Sequence, residues 1–492
     1  MKLGRLVAAA GLDAAGFGAQ AEAPVSGFAI DHRKVAPGTV FGAFPGTRVN
    51  GEDFIPAAIA AGAVAVVARP QADVRGAAHI ADAEPRRAFA HLAARFFTPV
   101  PGTIAAVTGT NGKTSVVEMT RQIWRMCGNR AASIGTLGVT TPDESVSTGL
   151  TTPDIVTFLA NMAGLAREGV THVAYEASSH GLSQYRNEGV PVAAGAFTNL
   201  SRDHLDYHAD MEEYFAAKMR LFTEVVSDGG TAVVWADDPW APRACEAAAA
   251  RGLRLLTIGE RGEGIQLLSR IPGHLGQDLH IRYEGTERRV HLPLIGAYQA
   301  ANALVAAGLA LATGSEAGAM FDALSRLQPV RGRLERAAIA RSGAPVYVDY
   351  AHTPDALGAA IDALRPHVSG RLITVFGAGG DRDPGKRAPM GAIAVEKSDL
   401  VIVTDDNPRG EEAAVIRAQI LEGAAGAREV GDRREAICAA IAGAGPEDIV
   451  LIAGKGHEQG QIIGAGDAMR VLPFDDVAVA RECAAEMAGA KA

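Results

Sequence analysis

Thr108-Gly-Thr-Asn-Gly-Lys-Thr-Ser115 is the stretch on which the reading of this 492-residue chain turns. Before it, Thr103-Ile-Ala-Ala-Val107 is short, apolar and β-prone. After it, Val116, Met119, Ile123 and Met126 recur at the spacing of one helix face, and Gly128-Asn129 is a stop signal. Strand, glycine turn and helix in that order make an anion cradle. The glycines let backbone N–H groups face inward, the helix start adds partial positive charge, Lys113 is a mobile cation, and Thr114 or Ser115 offers Mg²⁺ a hydroxyl. A nucleoside triphosphate fits that chemistry. The loop is shorter than the common phosphate loop, since Val107 stands where its first glycine falls and Gly109 is only three residues before Gly112. A tight Gly-Asn turn is the bland alternative, and the flanking strand, helix and stop signal count against it.

The chain is too long for one core, and about three domains are expected. Formal net charge is -9 with Lys and Arg scattered, which excludes a nucleic-acid surface and leaves anionic ligands to local basic residues. Cys127, Cys245, Cys438 and Cys483 are far apart with no Cys-x-x-Cys, which argues against disulfides and zinc and for a reducing compartment, each thiol acting as small apolar filler. The basic, apolar start is interrupted at Asp13, too early for a signal peptide, and no apolar run approaches about 18 residues. A cytosolic protein without membrane insertion is expected.

The fold class read from the pattern is α/β in three domains. Residues 1–98 form a small α/β domain, with strands at Phe28 to Arg33, Val40 to Phe44 and Val64 to Val67 and a short helix at Pro56 to Ala61. Asp31, His32 and Arg33 read as an exposed strand end, and Thr98-Pro-Val-Pro-Gly102 as a boundary. In residues 99–335 strands at His172 to Glu176, Val192 to Thr198, Thr231 to Trp235 and Leu253 to Ile258 alternate with helices, the mark of a parallel, doubly wound sheet of phosphate-loop type. Ligands collect at the carboxyl ends of such strands, where Glu176, Ser178, Ser179, His180, Asn199, Asp203, His204 and Asp206 fall. A carboxylate and an imidazole beside Thr114 suit Mg²⁺, although strand-end capping is the simpler account of any one of them. Lys218 lies within the apolar stripe of Met211, Tyr214, Phe215 and Phe222, so it must snorkel out or be neutralised. Gln299 and Asn302 share a face of an alanine-rich helix. Residues 336–492 form a Rossmann-like α/β domain in which an apolar strand four times ends in a polar or glycine-rich cluster: around Asp349, at Gly377 to Asp383, at Asp405 to Arg409, and at Gly454 to Glu458. Arg382, Arg387, Arg409 and Lys455 beside Asp349, Asp383 and Glu458 suit a zwitterion and the remainder of a nucleotide.

Thr108 to Ser115, Thr151-Thr-Pro-Asp154, Glu176-Ala-Ser-Ser-His180, Thr198 to His208, Arg331-Gly-Arg333, Asp349-Tyr-Ala-His352 and Gly454-Lys-Gly-His-Glu458 together resemble, in order and over essentially the whole chain, the signature series of the Mur ligases. Asp406-Asn-Pro-Arg409 resembles the motif of members that add meso-diaminopimelate.

The resemblance implies ATP-driven amide ligation. The D-glutamyl γ-carboxylate of UDP-N-acetylmuramoyl-L-alanyl-D-glutamate would attack ATP to give an acyl phosphate, which the amine of meso-2,6-diaminopimelate would then attack. By the same resemblance, Gly109, Thr110, Asn111, Gly112, Lys113, Thr114 and Ser115 bind ATP phosphates, with Asn302, Arg331 and Asp349 as further ATP contacts. Lys113, His204 and Lys218 are the catalytic candidates. Mg²⁺ is held by Thr114, Glu176, His204 and Lys218, the last as a carbamate, N6-carboxylysine. The nucleotide-peptide meets Ile30, His32, Thr47, Arg48, Val49, Thr151, Thr152, Ser178, Gln184 and Arg186, and diaminopimelate meets Arg382, Asp406, Asn407, Pro408, Arg409, Gly454 and Glu458. A monomer acting through domain closure is implied. Two positions depart from the family pattern: His32 stands in place of a serine and Gln299 in place of an asparagine. A lysine-adding or folylpolyglutamate-type ligase, or a scaffold without turnover, are the competing readings.

Overall fold

The structure, a computed structural model, describes every residue except 13–14, 47–48, 147–150, 204–206, 274 and 490–492. The chain forms two compact units, Met1–Gln266 with Leu304–Met320 and Leu267–Ala303 with Phe321–Ala492.

The first unit opens with a parallel sheet of the strands Gly27–Ala29, Thr39–Gly42, Ala63–Ala68 and Ala78–Ala81, in chain order. The first of these ends sooner than the apolar run suggested. The Asp31 carboxylate accepts the Arg33 N–H and caps a 3₁₀ turn, His32–Lys34, so a local side-chain hydrogen bond takes the backbone out of the sheet. A second sheet places Arg254–Gly259, Val226–Trp235, Val192–Phe197, Thr103–Thr108, His172–Glu176 and Ala131–Gly135 side by side and parallel, extended by the antiparallel Gly138–Thr140 and Ser145–Val146. The strand Thr103–Thr108 is central and buried along nearly its whole length, as a parallel sheet covered on both faces requires. Phe89, Phe158, Tyr175, Phe197 and Phe222 join a single core. Lys218 does not snorkel: its helix, Met211–Arg220, turns it inward to 1% exposure.

The second unit is built on Glu335–Ile339, Pro345–Asp349, Ile449–Ala453, Leu372–Phe376, Leu400–Val403 and Arg428–Glu429, in that spatial order. The first pairs antiparallel and the rest parallel. Residues alternate between two cores: Tyr347, Phe376, Val403 and Leu451 face one, and Val346, Val375, Ile402 and Ile452 the other. Because the four cluster-bearing strands run the same way, their polar ends share one edge of the sheet. A hairpin, Gly460–Ile463 with Arg470–Pro473, follows the last cluster.

The expectation of unpaired thiols is overturned in this unit. Cys438 on the helix Arg433–Gly443 and Cys483 on Asp476–Gly489 form a disulfide with Cα atoms 5.2 Å apart, whereas Cys127 and Cys245 take no part in it. The pairing has no local spacing signal, since it arises where two helices 45 residues apart at the cysteines pack together.

Candidate functional site

In the first unit the loop after Thr108 is shaped by left-handed glycines and clasped by its neighbour. Gly112 has φ 86°, and Gly109, at φ 147°, has no room for a Cβ against the Thr198 hydroxyl. Thr198 Oγ1 donates to Asn111 O at 2.6 Å, Asn199 Oδ1 accepts the Asn111 N–H at 2.9 Å, and Thr110 N donates to Asn199 O at 2.9 Å. Sequence reasoning gave Thr198 and Asn199 no such clasping role, although both stand in a quoted motif. Lys113 Nζ curls onto the loop carbonyls of Gly109 and Thr110, at 2.9 and 2.7 Å.

Lys218 Nζ donates to the same Gly109 carbonyl at 2.7 Å and sits 4.2 Å from the centre of the Tyr214 ring. Burial, with the Lys113 charge nearby, pushes the Lys218 amine well below the ordinary lysine range. Tyr214 in turn lies 3.3 Å, hydroxyl to hydroxyl, from Thr110.

Glu176 ends the strand beside Thr103–Thr108, and the Ala177 N–H donating to Val107 O at 2.9 Å sets the two strand ends level. Its carboxylate, 2% exposed, accepts from Thr136 N at 2.7 Å and Thr136 Oγ1 at 3.2 Å. From there one chain of hydrogen bonds gathers the expected substrate residues. Thr151 Oγ1 lies 3.1 Å from Thr136 Oγ1, and Thr152 Oγ1 donates to Glu176 O at 2.9 Å with Ser178 Oγ 3.0 Å away, hydroxyl to hydroxyl. Arg186 Nη1 donates to Thr152 O at 3.0 Å, and its Nη2 to Gln184 Oε1 at 2.7 Å. Between the last two, Tyr185 is held at φ 56°, an uncommon conformation for a tyrosine. Arg86, passed over in the sequence, donates to Pro45 O at 3.1 Å, and the Arg186 charge opposes its own. Ile30 and Val49 are exposed at 39% and 57%, and His32 stacks on Phe54 with ring centres 4.3 Å apart. Thr47, Arg48 and His204, with Asp206, lie outside the described residues.

In the second unit Asp349 is buried, accepting from Leu334 N at 2.7 Å and Ala351 N at 2.8 Å. Burial raises its pKa against the pull of Arg333. Arg333 also lies over the Tyr350 ring at 4.6 Å, whereas Arg331 pairs with Asp475. Arg333 is thus the cation beside Asp349, while Arg331, expected as an ATP contact, is the other arginine of the same Arg-Gly-Arg motif. Asn302 donates to Gln299 Oε1 at 3.4 Å, and Gln299 to Arg333 O at 2.7 Å.

Along the shared sheet edge, Arg409 stands at φ 52°, held by Ile462 O at 3.0 Å and by Gly464 N at 2.7 Å, with Nη1 donating to Gly380 O at 2.8 Å. Gly454, at φ 116°, lets Asp406 approach: a Cβ there would meet Asp406 Oδ2 at 2.6 Å. Asn407 Nδ2 donates to Glu458 Oε2 at 2.8 Å. Pro408 is buried and Arg382 exposed. Arg387 is buried and committed to Glu411, Gln419 and the Gly379 carbonyl. Behind these loops Arg433, unnoticed in the sequence, donates to Asp405 O at 3.1 Å and Ala453 O at 3.0 Å while Asp476 accepts from it twice at 2.7 Å.

One parallel sheet thus carries a glycine-bearing loop at a helix start, and the other an edge of mixed charge at its strand ends. Family models for the Mur ligase family catalytic domain, the Mur ligase middle domain and the Mur ligase glutamate ligase domain match residues 24–97, 107–310 and 332–456. The chain belongs to the Mur ligase family. It is 61% identical over 93% of its length to the UDP-N-acetylmuramoyl-L-alanyl-D-glutamate--2,6-diaminopimelate ligase of Zymomonas mobilis, covering 94% of that protein. To the protein of the same name from Bradyrhizobium diazoefficiens it is 53% identical, over 97% of each chain. A solved structure of a ligase with that name aligns with TM-score 0.72 and 33% identity, covering 94% of this chain and 96% of the other.

Proposed function

We propose that this chain joins meso-2,6-diaminopimelate to the D-glutamate γ-carboxylate of UDP-N-acetylmuramoyl-L-alanyl-D-glutamate, with ATP becoming ADP and phosphate, in peptidoglycan precursor synthesis. What carries the reading is identity of 61% along 93% of the chain to an enzyme named for that reaction. The site geometry supports it.

The γ-carboxylate oxygen attacks the γ-phosphorus as the bond to the β-phosphate oxygen breaks, giving an acyl phosphate and ADP. The diaminopimelate amine then attacks the acyl carbon, phosphate leaves, and the nitrogen loses a proton. Gly109 to Ser115 hold the phosphates, with Lys113 as the cation, and Thr151, Thr152, Ser178, Gln184 and Arg186 orient the peptide end. Ile30, His32 and Val49, with Thr47 and Arg48, take the uridine end. Asn302, Arg331 and Asp349 complete the ATP contacts. Arg382, Asp406 to Arg409, Gly454 and Glu458 receive the diamino acid.

Glu176 ends one strand, and Thr114 lies in the first turn of the helix that follows the neighbouring strand and its glycine loop; both are hard oxygen donors, which fits Mg²⁺. They would hold it with His204 and with Lys218 as its carbamate, and the ion would neutralise phosphate charge. The buried, weakly basic Lys218 amine supports the carbamate, because CO₂ adds to the uncharged amine. We assign the substrate, ATP and amino-acid work to residues 1–98, 99–335 and 336–492, in a cytoplasmic monomer. Among the described residues no helix is long and apolar enough to cross a membrane.

The test is phosphate release with ATP, Mg²⁺ and the nucleotide-peptide, comparing meso-diaminopimelate with L-lysine. Release with diaminopimelate alone is expected. Release only with lysine would move the chain to the lysine-adding branch, and release with neither would remove the activity.

A further inference from the structure

Lys455 has no part in the reaction just described, yet it is the cation most completely enclosed at the amino-acid edge. It lies in the turn after Ile449–Ala453 with 0% exposure. Its Nζ donates to Asn407 Oδ1 at 2.8 Å and reaches Glu458 Oε2 at 3.4 Å. Asn407 Oδ1 also accepts the Ile462 N–H at 2.9 Å. Two donors on one side of the carboxamide fix which end is oxygen, and the amide nitrogen is thereby aimed at Glu458 Oε2, 2.8 Å away.

Two consequences follow from counting partners. Asn407 commits its amide oxygen and one of its two amide N–H groups to the protein, so it holds Glu458 while one N–H remains for the diamino acid. Glu458 has one oxygen engaged by Asn407 and Lys455, and among the described residues Oε1 has no hydrogen-bond partner, while the side chain is 31% exposed. An enclosed ammonium is costly without a partner, and here the amide oxygen and the carboxylate supply it. The arrangement leaves one carboxylate oxygen without a protein donor among the described residues, on a partly exposed side chain.

We propose that Lys455 is a positioning residue for the diamino acid: through Asn407 and directly, it orients Glu458 so that Oε1 accepts a hydrogen bond from an ammonium group of diaminopimelate. The inference rests on the ligase reading above. A lysine that merely filled the turn would matter to folding and to every substrate alike.

The experiment uses the full chain and its variants Lys455→Met, Glu458→Gln and the double variant, measuring kcat and KM for each of the three substrates, with melting curves. Phosphate release by the parent with diaminopimelate is read first, since its absence sinks the ligase reading itself, whereas failure of the present proposal leaves the parent active. Lys455→Met is expected to raise the diaminopimelate KM by about tenfold or more, as loss of a charge-assisted contact does, with the KM values for ATP and the nucleotide-peptide and kcat little changed. The double variant should be no worse than the worse single variant, because both act through one carboxylate. An unmoved diaminopimelate KM, or multiplying effects in the double variant, overturns the proposal. If Lys455→Met gives no melting transition, Lys455→Gln, which keeps a donor for Asn407, takes its place: a selective rise in that one KM supports the proposal, and uniform loss across all three substrates overturns it.

Discussion

Lys218 shows how much one residue can reveal. Its place on an apolar helix stripe left two fates open, and the structure buries it against the Gly109 carbonyl and the Tyr214 ring. Lys218→Ala should lower turnover by about 100-fold or more, as loss of a positioned active-site group does, and a short-chain carboxylic acid should restore part of it. Parent-like activity in the alanine variant would end the carbamate reading. Arg409 offers a second test. Its strained backbone and its fork against Gly380 O suit a planar carboxylate clamp, so Arg409→Lys should raise the diaminopimelate KM about tenfold while sparing kcat. An unchanged constant would take Arg409 out of the site. Arg409 was legible because it belongs to a contiguous motif, and Lys218 because it interrupts an apolar helix stripe. Arg86 was not, since neither Arg186 nor the Pro45 carbonyl is near it in sequence. Arg331 and Arg333 are equivalent on paper, and only the fold sends one to Asp475 and the other to Asp349.

At the scale of elements, the amino-acid edge depends on two helix starts. Arg433 opens the helix Arg433–Gly443, Asp476 opens Asp476–Gly489, and the guanidinium between them ties the carbonyl that ends Ile449–Ala453 to the Asp405 carbonyl in the loop after Leu400–Val403. Both side chains of the pair are fully buried. Arg433→Met should therefore cost about 3–5 kcal/mol in chemical denaturation, because it strands the Asp476 charge. Adding Asp476→Leu should recover much of that stability yet leave the diaminopimelate KM raised, since the bridge between the carbonyls is still missing. Recovery of both together would show that the pair serves folding alone. The strands themselves were readable from their apolar runs, and their ends were not: at Asp31 one capping hydrogen bond decides where the sheet stops.

Across the whole molecule, stability should carry a signature of neutral imidazole. Burial, reinforced by Arg333 and Arg331, lowers His457 from 6.5 to about 4, and burial lowers His352 as well. The unfolded chain therefore takes up these protons first as pH falls. The stability tied to neutral His457 is fully present above about pH 6.5 and is lost progressively down to about pH 4. His457→Gln should flatten that part of a melting-temperature profile, and an unaltered slope would mean the ring is accessible in the fold. The sequence by itself determined the α/β class, the phosphate loop and the polar strand ends, because alternation of apolar strands with helices and short glycine-bearing motifs are local properties of the chain. Tertiary structure alone decided the Cys438–Cys483 bond, the choice of Arg333 beside Asp349, and the enclosure of Lys218, Lys455 and Arg433. Each of these depends on which side chains, distant along the chain, are packed within hydrogen-bonding or bonding reach once water is excluded.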